Sequence, residues 1–285
     1  MNKTSQASVL TVAAALALTG CASTASTTTN AGTQSSNAPA GLLKSSEFNV
    51  CMDPTYPPLE FYGDGGSSGD PIGLDADSAA ALAKSWGVKP KFSVVSFDGL
   101  LPALQAKRCD AVWSGMYVSD ERKEVADAIP YLATGRGLVT TSSDDGIRSI
   151  DDLAGKTVAV LAGGVNEAEL KKMSADLEAK GKQTITIQSY PQNNQTAAAV
   201  RNGKADAVLE TDLSAAEIVA KSNGELKANI DLFKADNQLA VYTLKGSPMT
   251  ASVAEGIQAL AADGTLGEIA ERYGLDPERV ITEGK

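Results

Sequence analysis

Asp110-Ala-Val-Trp-Ser-Gly-Met-Tyr-Val-Ser-Asp-Glu-Arg122 is the stretch that decides the fold. It opens on Asp110 and the apolar Ala111-Val112-Trp113, and 110–113 reads as a strand. Ser114-Gly115 breaks that run. Ser119 then stands where a side-chain oxygen caps a helix starting at Asp120, with Arg122 three positions on. A strand that ends in a turn and feeds a helix is the unit of an open α/β sheet, and such sheets take ligands at their strand ends.

The same unit recurs on both sides. Upstream come a strand at 48–52, a helix opening at Asp75, a strand at 91–95 and a helix at 99–106. Ala79, Leu82, Ala83 and Trp86 share one face of the first helix, and Gly87 stops it. Downstream come strands at 157–161, 184–188 and 205–209, separated by helices at 167–179 and 195–201. Strand–helix alternation predicts parallel sheets with helices on both faces, and two blocks predict two lobes. The chain ends in helices at 251–262 and 266–273, on either side of Asp263-Gly264. Segments 133–137 and 234–237 are small, polar and poor in apolar residues. They are the candidate crossings, which assigns residues 46–135 and 237–285 to lobe one and 136–236 to lobe two.

The N-terminus carries an address. One lysine, Lys3, precedes an apolar run at 9–18, too short for the roughly 20 residues that span a bilayer. Its length and small-residue end fit a signal-peptide core. Leu18-Thr19-Gly20-Cys21 resembles the lipobox of bacterial lipoproteins, which implies cleavage after residue 20 and a lipid anchor on Cys21. Residues 22–45 are almost free of large apolar side chains, so they read as a flexible tether spanning ~25–30 Å. The chain would sit on the outer face of the cell membrane.

Composition excludes much chemistry. The chain has 25 Lys+Arg against 35 Asp+Glu, net −10, which argues against nucleic acid and against electrostatic adhesion to anionic lipid. With no histidine there is no Ser-His-Asp or Cys-His catalysis and no His-ligated zinc. No P-loop, GxGxxG or EF-hand loop is present, so no cofactor or metal is expected. Cys51 and Cys109 fall in or beside two strands. A disulfide is feasible if those strands are neighbours; two buried free thiols are the alternative.

Four motifs then carry a resemblance: Asp53-Pro-Thr-Tyr-Pro-Pro-Leu-Glu-Phe61; Phe97-Asp-Gly-Leu-Leu-Pro-Ala-Leu-Gln105 followed by 109–122; Ser149-Ile-Asp-Asp-Leu-Ala-Gly-Lys-Thr-Val-Ala-Val160; and Ala262-Asp-Gly-Thr265. In this order and spacing the chain resembles the family 3 extracellular solute-binding proteins. The resemblance implies an α/β, two-lobed periplasmic-binding-protein-like (type II) fold with a hinge of two crossings, closing on a polar amino acid or related zwitterion. It further implies a membrane ABC permease as partner, a monomer, and the Cys51–Cys109 pairing that some members have.

Arg122 falls where the family's carboxylate-binding arginine sits, with Ser114, Gly115, Met116 and Tyr117 completing the pocket. Without the resemblance, a surface ion pair explains Arg122 equally well. Asp53 and Tyr56 fall at the mouth of the first strand, and Glu60 lies in the same loop. Phe97 and Trp113 serve equally as walls for a ligand or as core packing. In lobe two, Gly163-Gly164-Val165-Asn166 runs from a strand end into a helix, where exposed N–H groups form an anion site.

Three departures concern the cargo. Gly164 stands where the family usually has Thr or Ser. Thr211 stands where an ammonium-binding Asp is usual, leaving Glu210 or Asp212 to substitute. The usual Met-Thr-Ile-Thr reads Met116-Tyr-Val-Ser119. They point to an amino-acid derivative with a modified or cationic amino end. The rival functions are a periplasmic dehydratase acting on prephenate-like acids, and a sensor presenting its solute to a receptor.

Overall fold

The computed structural model describes residues 38–63 and 66–282. The expected signal at 1–20, Cys21 and the tether up to residue 37 lie outside the described residues.

The chain builds β1 (Glu47–Met52), the short strands β2 (Thr55–Tyr56) and β3 (Glu60–Phe61), and α1 (Leu74–Ser85). It continues through β4 (Lys89–Val94), a 3-10 turn at Phe97–Gly99, α2 (Leu100–Gln105), β5 (Ala111–Val112), α3 (Asp120–Val125) and β6 (Ala126–Thr134). After Gly135 come β7 (Arg136–Thr141), β8 (Thr157–Leu161), α4 (Val165–Ala179) and β9 (Thr186–Tyr190). Next are α5 (Asn193–Arg201), β10 (Ala207–Thr211), α6 (Asp212–Ala220) and β11 (Leu226–Asn229). The return brings β12 (Asn237–Leu244), α7 (Met249–Ala262) and α8 (Thr265–Arg272).

Ten of these strands form two five-stranded sheets, ordered β4-β1-β5-β12-β6 and β9-β8-β10-β7-β11, with β2 and β3 paired as a separate hairpin, and the chain has the expected two α/β lobes. Side-chain alternation explains how each sheet holds two cores. Phe48, Val50 and Met52 of β1 face α1 and α7, while Cys51 faces α2. In lobe two, Val158 and Leu209 pack against α4, while Ala159 and Val208 pack against α5 and α6. Cys51 and Cys109 are bonded, with Cα atoms 5.7 Å apart.

The sheets are mixed, which corrects the expectation of parallel ones. Three strands of each run parallel, then one is reversed: β12 in lobe one, β7 in lobe two. Both reversed strands immediately follow a crossing. A chain arriving from the other lobe enters at the cleft and runs away from it, whereas the parallel strands run toward it. The first crossing is also tighter than 133–137: β6 and β7 are separated by Gly135 alone. Strands β6, β7 and β12 escape the alternation pattern, since a strand-to-strand passage carries no helix to mark it.

Glycine is required at the start of α1. Gly73 has φ +120°, and a Cβ there would lie 2.2 Å from the Leu59 carbonyl oxygen. This close approach presses α1 against the β2–β3 hairpin and brings Asp75 inside lobe one, fully buried.

Candidate functional site

Arg122 stands at the seam between the lobes. Ser119 caps α3, accepting a hydrogen bond from the Arg122 backbone N–H at 3.3 Å. That cap turns the guanidinium inward, where it is buried and packs 5.6 Å from the Phe97 ring centre. Its Nη1 donates to the Tyr117 carbonyl in lobe one at 2.8 Å, and its Nη2 to the Gly163 carbonyl in lobe two at 3.3 Å.

Two adjoining cavities lie along this seam. The outer one, about 500 Å³, is lined by Phe97, Met116, Arg122, Gly163 and Gly164 and by the acids Asp98, Glu121 and Glu124. The inner one, about 30 Å³, is lined by Tyr56, Phe97, Gly115, Tyr117, Asn166 and Glu210. The inner space is about the size of one or two water molecules. Val165, the first residue of α4, lines both, so the N-terminus of the helix stands at the cleft wall.

Several predicted residues do not reach these cavities. Glu60 and Trp113 are wholly buried inside lobe one. Glu60 Oε1 accepts from Ser114 Oγ at 2.7 Å, and Trp113 packs against Tyr131. The β2–β3 hairpin folds Glu60 back under the sheet, and Trp113 follows the inward phase of β5. Asp53 braces the floor rather than lining it: its N–H donates to Ser114 Oγ at 2.9 Å, and its Oδ2 accepts from the Phe97 N–H at 3.1 Å. Asp212 turns to the hinge, where Thr134 Oγ1 (2.6 Å) and Arg279 Nη1 (2.8 Å) both donate to it.

The sequence profile of the bacterial extracellular solute-binding proteins, family 3, matches residues 48–276. The chain belongs to this family. Among curated relatives of this family 3 protein, the L-cystine-binding protein TcyJ of Escherichia coli (strain K12) is 30% identical over 226 residues, 79% of this chain and 81% of TcyJ. Among solved structures, an amino acid ABC transporter substrate-binding protein, AbpA from Streptococcus pneumoniae, bound to L-arginine, superposes with TM-score 0.71 at 28% identity. It covers 80% of this chain and 94% of that one. The ancestral amino-acid-binding protein AncCDT-1, a precursor of cyclohexadienyl dehydratase, gives 0.70 at 29%, covering 80% and 95%.

The family 3 protein has its own inner pocket. Tyr117 donates through its hydroxyl to the Gly135 carbonyl at 2.9 Å, which sets the ring into the inner cavity. Arg136 stacks 5.8 Å from that ring and donates through Nε to Asn166 Oδ1 at 3.0 Å. Thr211 is committed twice: its Oγ1 accepts from Tyr56 Oη at 2.7 Å and from the Ser214 N–H at 3.0 Å, capping α6. Of the three neighbours Glu210, Thr211 and Asp212, only Glu210 lines the inner cavity. Burial pushes its carboxyl up to about 8, opposed by hydrogen bonds from Thr196 and Asn193. Burial also raises the Tyr56 and Tyr117 hydroxyls well above their usual range.

Sequence reasoning missed Asp98, Glu121 and Glu124 at the outer cavity and Asp75 behind the floor. For Glu121 and Glu124 a signal existed: they share the capped helix with Arg122. For Asp75 there was none, because two acids in a first helical turn normally read as dipole partners facing solvent. Among the described residues no cluster of three metal-ligating side chains occurs, and no helix is long and apolar enough to cross a membrane.

Proposed function

We propose that this protein is the lipid-anchored solute-binding component of an ABC importer, capturing an amino-acid-like zwitterion by hinge closure. One observation carries the reading: Arg122, buried at the seam, bonds both lobes and lines the outer cavity beside the N-terminus of α4. A guanidinium fork opposite a helix N-terminus suits a carboxylate, which would replace the Tyr117 and Gly163 carbonyls as its acceptor. The solute's cationic end would meet Glu210, the acid that lines the inner cavity. Tyr117 and the doubly bonded Thr211 narrow that end, which supports an amino group modified relative to an ordinary α-amino acid.

In this reading residues 136–236 swing as lobe two on crossings near 135 and 236. Cys21 holds the trap at the membrane surface, and the segment after it gives reach to the permease. The end of the expected tether is docked instead, since Ala38 and Leu42 pack on the lobe-one core and the Leu43 N–H donates to Asp110 Oδ1 at 2.6 Å. The cystine- and arginine-binding proteins among its relatives support the solute class. The resemblance to AncCDT-1 keeps a dehydratase as the second reading. A thermal-shift and calorimetric screen over α-amino acids, N-alkylated amino acids and diamines tests capture. A carboxylate solute that binds with unchanged affinity to Arg122→Ala removes the proposed role of Arg122. Turnover of a prephenate-like acid would replace capture by catalysis.

A further inference from the structure

Behind the cleft floor, two carboxyl groups are buried together. Glu60 on β3 and Asp75 on α1 are both fully buried. Two donors hold Asp75, and the Glu60 carboxyl adjoins it. Tyr131 Oη donates to Oδ1 at 2.6 Å and the Gly115 N–H donates to Oδ2 at 2.7 Å. Glu60 Oε1 accepts from Ser114 Oγ, while buried Oε2 has no N–H or hydroxyl donor aimed at it. Two carboxylates cannot hydrogen-bond each other without a proton between them, and a proton on Glu60 makes Oε2 a donor to Asp75.

The other ionisable groups around the pair are Asp53 at the end of β1, Tyr56 on β2 and Tyr131 on β6. All are acids, and none brings a positive charge. The pair holds the floor directly. Asp75 grips the amide of Gly115, whose φ of +50° and whose place under Tyr56 (2.7 Å from a Cβ built there) leave little slack. Glu60 grips Ser114, which in turn receives the Asp53 N–H.

We propose that Glu60 and Asp75 are positioning residues that share a proton, and that the charge on Asp75 sets the Ser114–Gly115 floor of the cleft, so the floor responds to pH outside the cell. With one proton on the pair, held by Glu60, Asp75 stays charged and accepts from Tyr131 and Gly115. A second proton removes that charge and occupies one accepting site of Asp75, so the charge-assisted grip on Gly115 weakens. Burial pushes Asp75 up to about 7 and raises Glu60 well above the usual carboxylate range, which puts a titration of the pair in the neutral range.

The test is a pH titration from 5.5 to 8.5 of the Gly115 amide by NMR and of Trp113 emission in a Trp86→Phe background. Trp113 reports because it packs 5.4 Å from Tyr131. Both signals are expected to share a midpoint near 7. Asp75→Asn should abolish that midpoint. Tyr131→Phe removes a bond that lowers the Asp75 pKa, so it should move the midpoint to higher pH, and it serves if Asp75→Asn fails to fold. Flat signals in the native protein, or a Tyr131→Phe midpoint that stays put or falls, overturn the proposal.

Discussion

The hydroxyl of Tyr56 in lobe one donates to Thr211 Oγ1 in lobe two at 2.7 Å, and both groups are buried. The bond joins β2, just after β1, to the cap of α6, the position where the family usually has an acid. A net hydrogen bond of this kind is worth about 1 kcal/mol, or roughly a fivefold change in an equilibrium. Tyr56→Phe should therefore shift the closed-to-open ratio about fivefold toward open, read as an increase in inter-lobe distance by spin-label spectroscopy. Thr211→Asp should add a charge-assisted partner for an amine and tighten binding of an ordinary α-amino acid by roughly tenfold or more.

Arg122 is expected to dominate affinity for any carboxylate solute. Arg122→Ala should cost roughly tenfold or more in Kd by calorimetry. Arg122→Lys should not restore it, because an ammonium lacks the planar two-donor fork, now set on the Tyr117 and Gly163 carbonyls, that a solute carboxylate would take over. Full recovery by Lys would mean that only charge matters at this position.

Glu210 gives a pH dependence of stability with a definite sign. Its carboxyl is pushed from an ordinary 4.5 up to about 8, mainly by burial. The folded state thus binds its proton more tightly than the unfolded state does. That contribution is fully present below about 4.5 and is lost progressively as pH rises to about 8. Urea-unfolding midpoints of the native protein should fall between pH 5 and pH 8. Glu210→Gln, which keeps neutral hydrogen bonding, should show a smaller fall.

The Cys51–Cys109 bridge closes a loop of sequence separation 58 inside lobe one. Chain-entropy reasoning assigns such a loop about 4 kcal/mol. A Cys51→Ala, Cys109→Ala protein should unfold at lower denaturant by an amount approaching that figure. Tyr56, Phe97 and Asp98 of the cleft lie within the bridged loop, and Phe97 and Met116 share a core cluster with both cysteines, so the loosening should reach the outer cavity. An unchanged urea midpoint would mean that the bridge adds nothing to lobe one.

Much of the scaffold was legible from local pattern. The period-2 alternation of Phe48, Val50 and Met52 and the helical spacing of Ala79, Leu82 and Ala83 announce strand and helix, because backbone geometry repeats over a few residues. The cap Ser119 likewise announces Arg122 at a strand-to-helix turn. Strand direction was not legible: β7 and β12 run backwards because they enter from the other lobe, a relation between segments about a hundred residues apart.

The sequence by itself determined the alternation of strands and helices, the division into two lobes, the arginine at a helix start and a pair of cysteines able to bond. Tertiary structure alone decided which acids meet the cleft. Glu210 faces the inner cavity while Asp212, two residues on, turns to Arg279, and Glu60 leaves the cleft for a buried partnership with Asp75. Spacing governs hydrogen-bonded repeats because they are local. Burial of a charge is settled by whatever distant segments pack around it, and those segments also set the proton affinity on which the chemistry of the cleft depends.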